Sequence, residues 1–109
     1  MTDALREPSF LILTALAAGP QHGYGIMTDV AGISAGRVRL RAGSLYAALN
    51  RLETEGLVEF DREEVVDGRL RRYYRLAPPG AQRLKAEADR MSQTATVARR
   101  RLKLLTDPA

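Results

Sequence analysis

The chain contains no cysteine, no tryptophan and only one histidine, His22, among its 109 residues. The lack of cysteine excludes disulfide bonds, thiolate catalysis and cysteine-ligated metal sites, and one histidine cannot build a site that needs several. We therefore expect no metal ion and no cofactor. The sequence also lacks a serine-hydrolase elbow, a phosphate-binding glycine loop and a zinc-peptidase motif, so we expect that the protein is not an enzyme.

Long apolar runs are missing as well. The longest, around Phe10 to Leu16, is much shorter than the roughly 20 residues that a helix needs to cross a bilayer. The N-terminus also lacks the basic and then apolar pattern of a signal peptide. We therefore predict a cytoplasmic protein with no membrane partner.

The chain carries a modest excess of positive charge. Seventeen Lys and Arg residues against thirteen Asp and Glu residues give a formal net charge of +4, and 45% of the residues are hydrophobic. This composition is typical of a folded globular domain rather than of a disordered chain. The positive excess suits a polyanionic partner, but acidic residues occur throughout the chain and the charge alone does not identify that partner.

Apolar residues at helical spacing predict four helices. Ser9 is expected to cap the first helix, Gly32 to end the second, and Gly56 to end the third in the left-handed conformation. A break at Gly19 and Pro20 separates the first two helices, as a helix-turn-helix arrangement requires. The predicted helices cover residues 9–18, 24–31, 44–55 and 78 to about 105.

The third predicted helix has the clearest amphipathic pattern. Its outer face is polar and includes Asn50, whose amide can bond adenine, and Arg51, whose guanidinium can bond guanine. Any amphipathic helix has a polar outer face, so this surface alone does not establish DNA binding. The expected core-facing residues, spaced i, i+3, i+4 and i+7, are Leu45, Ala48, Leu49 and Leu52.

Two alternating segments, 57–62 and 70–76, predict a β-hairpin with its turn at Asp67 and Gly68. Around Val38 and Leu40 a further brief extended piece is predicted. Arginines flank the third helix on both sides, where they either meet the phosphates of one groove or pair with neighbouring acidic residues. These arginines are Arg37, Arg39, Arg41, Arg69, Arg71, Arg72 and Arg75.

His22 and the tyrosines could each have a structural role or contact DNA. Arg72 shares a strand face with Tyr74, so it is expected to be structural, and Tyr73 and Tyr74 are expected to pack rather than to stack on bases. His22, before the second helix, is expected to cap or pack rather than to bind phosphate. Tyr24 is better placed to reach phosphate at this helix N-terminus.

The last predicted helix carries an apolar heptad seam that fits a partner helix. The fold class predicted is mainly α with a small β-hairpin: a winged helix-turn-helix domain over residues 1–77, followed by a long C-terminal dimerisation helix and tail over residues 78–109. The seam begins at Ala81. The residues expected at the dimer interface are Leu84, Ala88, Met91, Ala95, Ala98, Leu102 and Leu105.

Three segments occur in a specific order and spacing: HGYGI at 22–26, GRVRLRAGSLYAALNRLETEGLVE at 36–59, and RRYYRLAPPG at 71–80. With them the chain resembles the PadR family of bacterial regulators, in particular its short subfamily with one C-terminal dimerisation helix. The resemblance implies a homodimer that binds a roughly palindromic double-stranded DNA operator and represses transcription until a small molecule relieves it. The residues expected to contact DNA are Tyr24, Arg41, Ser44, Tyr46, Asn50, Arg51, Arg69 and Arg71.

Two questions stay open at this point. Some PadR proteins sense phenolic acids or hydrophobic drugs at the dimer interface, but this chain has no tryptophan to stack on such a ligand, so the effector is not identified. The alternative function is a winged-helix module that binds another protein and no nucleic acid. A salt titration of DNA binding separates the two, because only phosphate contacts make the affinity fall steeply with salt.

Overall fold

The computed structural model describes residues 5–107. Within them the chain forms four helices and three strands, and each helix end lies within two residues of its predicted position. The mainly α fold class with a β-hairpin and a long C-terminal helix is confirmed. In chain order the elements are α1 (Glu7–Ala17), β1 (Gln21–His22), α2 (Gly23–Ile33), α3 (Ala42–Thr54), β2 (Val58–Val66), β3 (Arg69–Leu76) and α4 (Pro78–Thr106).

The predicted hairpin is part of a three-stranded antiparallel sheet in the order β1, β3, β2. Asp67 and Gly68 have φ angles of +52° and +76°, as a type I′ turn requires, so pairing continues up to Val66 and Arg69. With this turn, β2 ends four residues later than predicted. The strand β1 was not predicted because two residues are too short to show an alternating pattern.

Two helix boundaries were predicted wrongly. Ser9 does not cap α1, because the helix starts earlier, with Arg6 at the N-cap position. Gly32 does not end α2; the helix runs to Ile33 and closes when the Gly36 amide donates to the Ala31 carbonyl at 2.7 Å. Residues 38–40, predicted as a brief extended piece, belong to no strand.

The hydrophobic core lies where α1, α2, α3 and the base of the sheet meet. The predicted inward stripe of α3 is confirmed, since Leu45 and Leu49 are fully buried. Burying a side chain of this size stabilises the fold by roughly 1.5–3 kcal/mol, so α3 is held firmly against the domain. The largest fully buried side chains are Ile12, Leu13, Leu16, Ile26, Leu45, Leu49, Leu52, Val30 and Val58.

The helix α4 starts on the domain and then projects beyond it. Its 29 residues give a length of roughly 43 Å, and the described chain measures 66 × 31 × 21 Å. Leu84 packs against the core of its own chain, whereas Leu102 and Leu105 are 61% and 82% exposed. The predicted seam therefore begins against the chain's own domain, and the leucines at its far end are left exposed by the described part of the chain.

Candidate nucleic-acid interface

The outer face of α3 is open to solvent along its length. Ser44, Ala47, Asn50 and Thr54 are exposed, while the opposite side of the helix is buried in the core. The Asn50 amide makes no side-chain hydrogen bond within residues 5–107, so both its donors and its acceptor are available. An α-helix with this outline fits the major groove of B-DNA, which is about 12 Å wide.

One side of α3 faces the start of α2 and the wing, which is the hairpin formed by β2 and β3. A cleft of about 520 Å³ separates them, and four of the residues expected to contact DNA line it: Tyr24, Tyr46, Arg69 and Arg71. The fold thus brings together residues that are up to 47 positions apart in the sequence. Tyr24 is 73% exposed and Tyr46 is 41% exposed, so part of each side chain is accessible from solvent.

A glycine sets the distance between α2 and α3 at this cleft. A Cβ atom on Gly23 would lie 2.4 Å from the Tyr46 hydroxyl oxygen and 3.4 Å from a Leu45 methyl carbon. Gly23 is therefore part of the site. It lies in the HGYGI segment, but no role was predicted for it from the sequence. The absent side chain lets Tyr46 lie against the first turn of α2.

His22 caps α2, as predicted. Its Nδ1 atom accepts a hydrogen bond from the Gly25 amide at 3.3 Å, and its ring packs edge-on against Tyr73 with the ring centroids 5.3 Å apart. Burial lowers the pKa of His22, and the positive charge of Arg71 lowers it further. The neutral ring is the form that the cap needs, because a protonated Nδ1 cannot accept a hydrogen bond.

Some of the candidate arginines pair with acidic residues, as the alternative interpretation held. Arg75 bonds Glu59 and Asp61, and hydrogen bonds from Arg75 and then Arg62 lower the pKa of the Asp61 carboxyl group. Arg72, expected to be structural, lies 3.6 Å from a Glu63 carboxylate oxygen and 4.8 Å from the centre of the Phe60 ring.

Arg37 also has an acidic partner, Glu7, which leaves four arginines of the set. Within residues 5–107, no salt bridge or side-chain hydrogen bond involves Arg39 or Arg41 before α3, or Arg69 or Arg71 on β3. These four cations flank the exposed face of α3 at its start and along the wing. Arg71 lies opposite Glu64 in the strand pairing, and its charge contributes to the lowered pKa of that carboxyl group, of which a hydrogen bond from Arg62 is the main cause. The four arginines together give this side of the domain a positive charge that attracts a polyanion.

Arg51 differs from the other residues expected to contact DNA. Its Nη2 atom donates a hydrogen bond to the Ser9 hydroxyl oxygen at 2.8 Å, so the guanidinium group lies toward α1, on the side of α3 away from the wing. Ser9 was expected to cap α1. It is instead the hydrogen-bond partner of Arg51 and is only 3% exposed. The role of Arg51 in reading bases stays a prediction.

In the described part of the chain, no group of three or more His, Asp or Glu side chains is arranged to hold a metal ion. None of the helices in residues 5–107 combines the length and apolar character that a membrane span requires.

Comparisons with known proteins place this chain in a family. The profile of the Transcriptional regulator PadR-like family matches residues 12–86. An uncharacterized 37.1 kDa protein in transposon TN4556 of Streptomyces fradiae is 41% identical over 87 residues, which make up 80% of this chain and 24% of that protein. The transcriptional regulator Rv3488 of Mycobacterium tuberculosis is 50% identical over 42 residues, or 38% of each chain. The aligned part is thus well under half the length of either relative.

Solved structures share the fold. A PadR family transcription regulator from Clostridium difficile superposes with a TM-score of 0.74 at 23% identity, covering 89% of this chain and 99% of that one. Bacillus subtilis PadR, solved in complex with operator DNA, gives a TM-score of 0.65 at 24% identity over 74% of this chain and 46% of that one.

The fold and the exposed α3 define a winged helix-turn-helix protein. Because the family profile covers more than half of the chain, the protein belongs to the PadR-like family of transcriptional regulators.

Proposed function

We propose that the protein binds a roughly palindromic double-stranded DNA operator as a homodimer and regulates transcription, as a repressor relieved by a small molecule. The observation that carries the proposal is the exposed face of α3 with its free Asn50 amide, flanked by four arginines that form no salt bridge within residues 5–107. A related fold, Bacillus subtilis PadR, was solved with operator DNA. Regulation of transcription also supports the predicted cytoplasmic location.

The geometry supports different roles for the residues of the interface. The bases would be contacted by Ser44, Asn50 and Tyr46, which lie on or beside the exposed face of α3. Arg41, Arg69, Arg71 and Tyr24 would contact phosphates and fix the register of the helix in the groove. The effector, a small hydrophobic or phenolic molecule, stays a prediction. So does the division into a DNA-binding domain, residues 1–77, and a dimerisation helix with its tail, residues 78–109.

The first test measures DNA binding by fluorescence anisotropy at several salt concentrations, with a selected operator and an unrelated duplex. We expect the affinity for both duplexes to fall steeply with salt, because bound counterions are released when arginines neutralise phosphates. A module that binds only a protein partner would show no salt-dependent DNA binding. That result would refute the proposal and favour the protein-binding alternative.

The second test addresses base reading. Asn50→Ala is expected to weaken operator binding by about 1–3 kcal/mol and to leave binding to the unrelated duplex almost unchanged, because the amide contacts a base edge rather than a phosphate. Gln93→Ala removes the same kind of amide from an exposed position of α4, away from this face, and is the matched control. An equal loss on both duplexes would show that Asn50 does not read sequence.

A further inference from the structure

A second cleft lies on the opposite side of α3 from the wing. It has a volume of about 260 Å³, and its lining includes Arg6, Ser9, Arg51, Glu55 and Arg83. Three elements meet there: the start of α1, the last turns of α3 and the first turns of α4. Of these lining residues, the sequence predicted a DNA contact only for Arg51.

The lining is strongly cationic. Arg6 is exposed and its side chain has no ion pair or hydrogen bond within residues 5–107, and Arg51 is held in place by its bond to the buried Ser9 hydroxyl group. Arg83 adds a third guanidinium, which also acts on the nearby Glu87 carboxylate. Among residues 5–107, Glu55 is the one carboxylate in the lining. The charges therefore favour an anion.

The size and polarity of the cleft limit what that anion is. Pockets for drug-sized ligands measure about 300–1,000 Å³ and are mainly apolar, whereas this cleft is smaller and is lined largely by charged groups. Several guanidinium groups around a small space match a phosphate group, which accepts forked hydrogen bonds. A phosphate group belongs either to a free anion or to the backbone of DNA.

The position of the cleft decides between these sources. Tyr46 faces the wing and Arg51 faces α1, and five residues of helix separate the two side chains by about 140° around the axis. A helix is about 10–12 Å across and the major groove about 12 Å wide, so the two flanks of a docked helix lie next to the two phosphate strands. The wing side accounts for one strand only.

We infer that the Arg6–Arg51 cleft binds a backbone phosphate on the strand opposite the one contacted by the wing, so that α3 is clamped from both sides in the groove. This inference rests on the proposed DNA binding and adds Arg6 to the interface. Arg51 then acts as a phosphate contact positioned by Ser9 rather than as a reader of bases.

The test compares Arg6→Gln and Arg51→Gln with Arg100→Gln, which removes the same charge from the exposed, projecting part of α4. Arg6→Gln removes no ion pair or side-chain hydrogen bond within residues 5–107, so its fold is expected to be intact, as circular dichroism can verify. We expect each cleft variant to weaken the operator and the unrelated duplex alike, by roughly tenfold. The slope of log K against log salt should shrink by about 0.9. Arg100→Gln should leave the slope unchanged.

Two further experiments distinguish a backbone phosphate from a free anion in the cleft. Glu55→Gln removes the carboxylate from the cleft and should tighten binding to both duplexes. Inorganic phosphate, titrated into the DNA-free protein, is followed by NMR at the Arg51 Nε–H signal. If phosphate shifts that signal but the salt slopes of both cleft variants equal that of the wild type, the cleft serves a free anion and the inference is wrong.

The outcomes also distinguish this inference from the proposed function. If the wild type binds duplex DNA and the cleft variants bind it equally well with the same slope, the clamp is refuted while DNA binding stands. If the wild type shows no salt-dependent binding to duplex DNA, the proposed function fails and the clamp fails with it.

Discussion

Two glycines allow neighbouring elements to come into close contact because they have no side chain. A Cβ atom on Gly80 would lie 2.0 Å from the Leu57 carbonyl oxygen, and the same oxygen accepts a hydrogen bond from the Ala77 amide at 3.0 Å. The first turn of α4 is thus fixed against the residue before β2 by backbone contacts. At Gly23 the obstacle would be the Tyr46 side chain, which can move, so Gly80 is the less tolerant position.

Gly80→Ala is therefore expected to lower the free energy of unfolding by about 1–3 kcal/mol or more, since overpacking against backbone cannot be relieved by a side-chain rotation. Gly32→Ala is the control. Gly32 lies in α2 with open space around its Cα atom, so alanine there should stabilise the helix, by up to about 1 kcal/mol. Urea unfolding curves measure both. A neutral or stabilising effect of Gly80→Ala would contradict the described docking of α4.

At the scale of the elements, local sequence patterns were sufficient to predict the helices and the hairpin turn. The period of leucines over α3, the Asp67–Gly68 turn and the start of α4 at Pro78 were all predicted from neighbours in the sequence. The strand β1 was missed because it exists only through its pairing with Tyr73 and Tyr74. The bond from Arg51 to Ser9 joins residues 42 positions apart, so no local spacing could indicate it.

The contact between α1 and α4 includes a carboxylate that is largely buried. Glu87 is 7% exposed and bonds Arg90 one turn further along α4. This hydrogen bond is the main reason that the pKa of Glu87 is lowered, and the backbone of Leu5 before α1 adds to the effect. A lowered pKa means that the folded state binds the proton less tightly than the unfolded state does.

The stabilisation from Glu87 is therefore complete above the ordinary glutamate pKa of about 4.3 and is lost as the pH falls through the lower pKa of the folded state. We expect Glu87→Gln to flatten the acid limb of a plot of unfolding free energy against pH. Glu53→Gln, which removes an exposed carboxylate of α3, should not flatten it. Thermal unfolding from pH 7 to pH 3 measures both variants, and identical acid limbs for Glu87→Gln and wild type would exclude this linkage.

At the scale of the whole molecule, the projecting half of α4 would form the interface of the proposed dimer. Leu102 and Leu105 lie on the predicted seam. Leu104, which is 73% exposed, lies between them in the sequence but on another side of the helix. Closing this seam with a second copy would bury apolar surface that the single chain leaves in water. Two copies would place their α3 helices on successive turns of DNA, about 34–36 Å apart.

Leu102→Glu is expected to produce a monomer, because a charge in the seam is desolvated by the partner helix. Operator affinity should fall roughly 100-fold or more, since the second half-site no longer binds as part of one molecule. Leu104→Glu adds the same charge outside the seam and should remain a dimer. Sedimentation equilibrium gives the mass and anisotropy gives the affinity. A dimeric Leu102→Glu protein would place the interface elsewhere.

The exposed end of α4 has a consequence for how long the chain would survive proteolysis. In the single chain the leucines near this end lie in water, so local backbone hydrogen bonds carry much of the stability of this half of the helix. In the proposed dimer, packing against the second copy would add to that stability. Cleavage of this end by a protease should then slow as the protein concentration rises and the dimer forms.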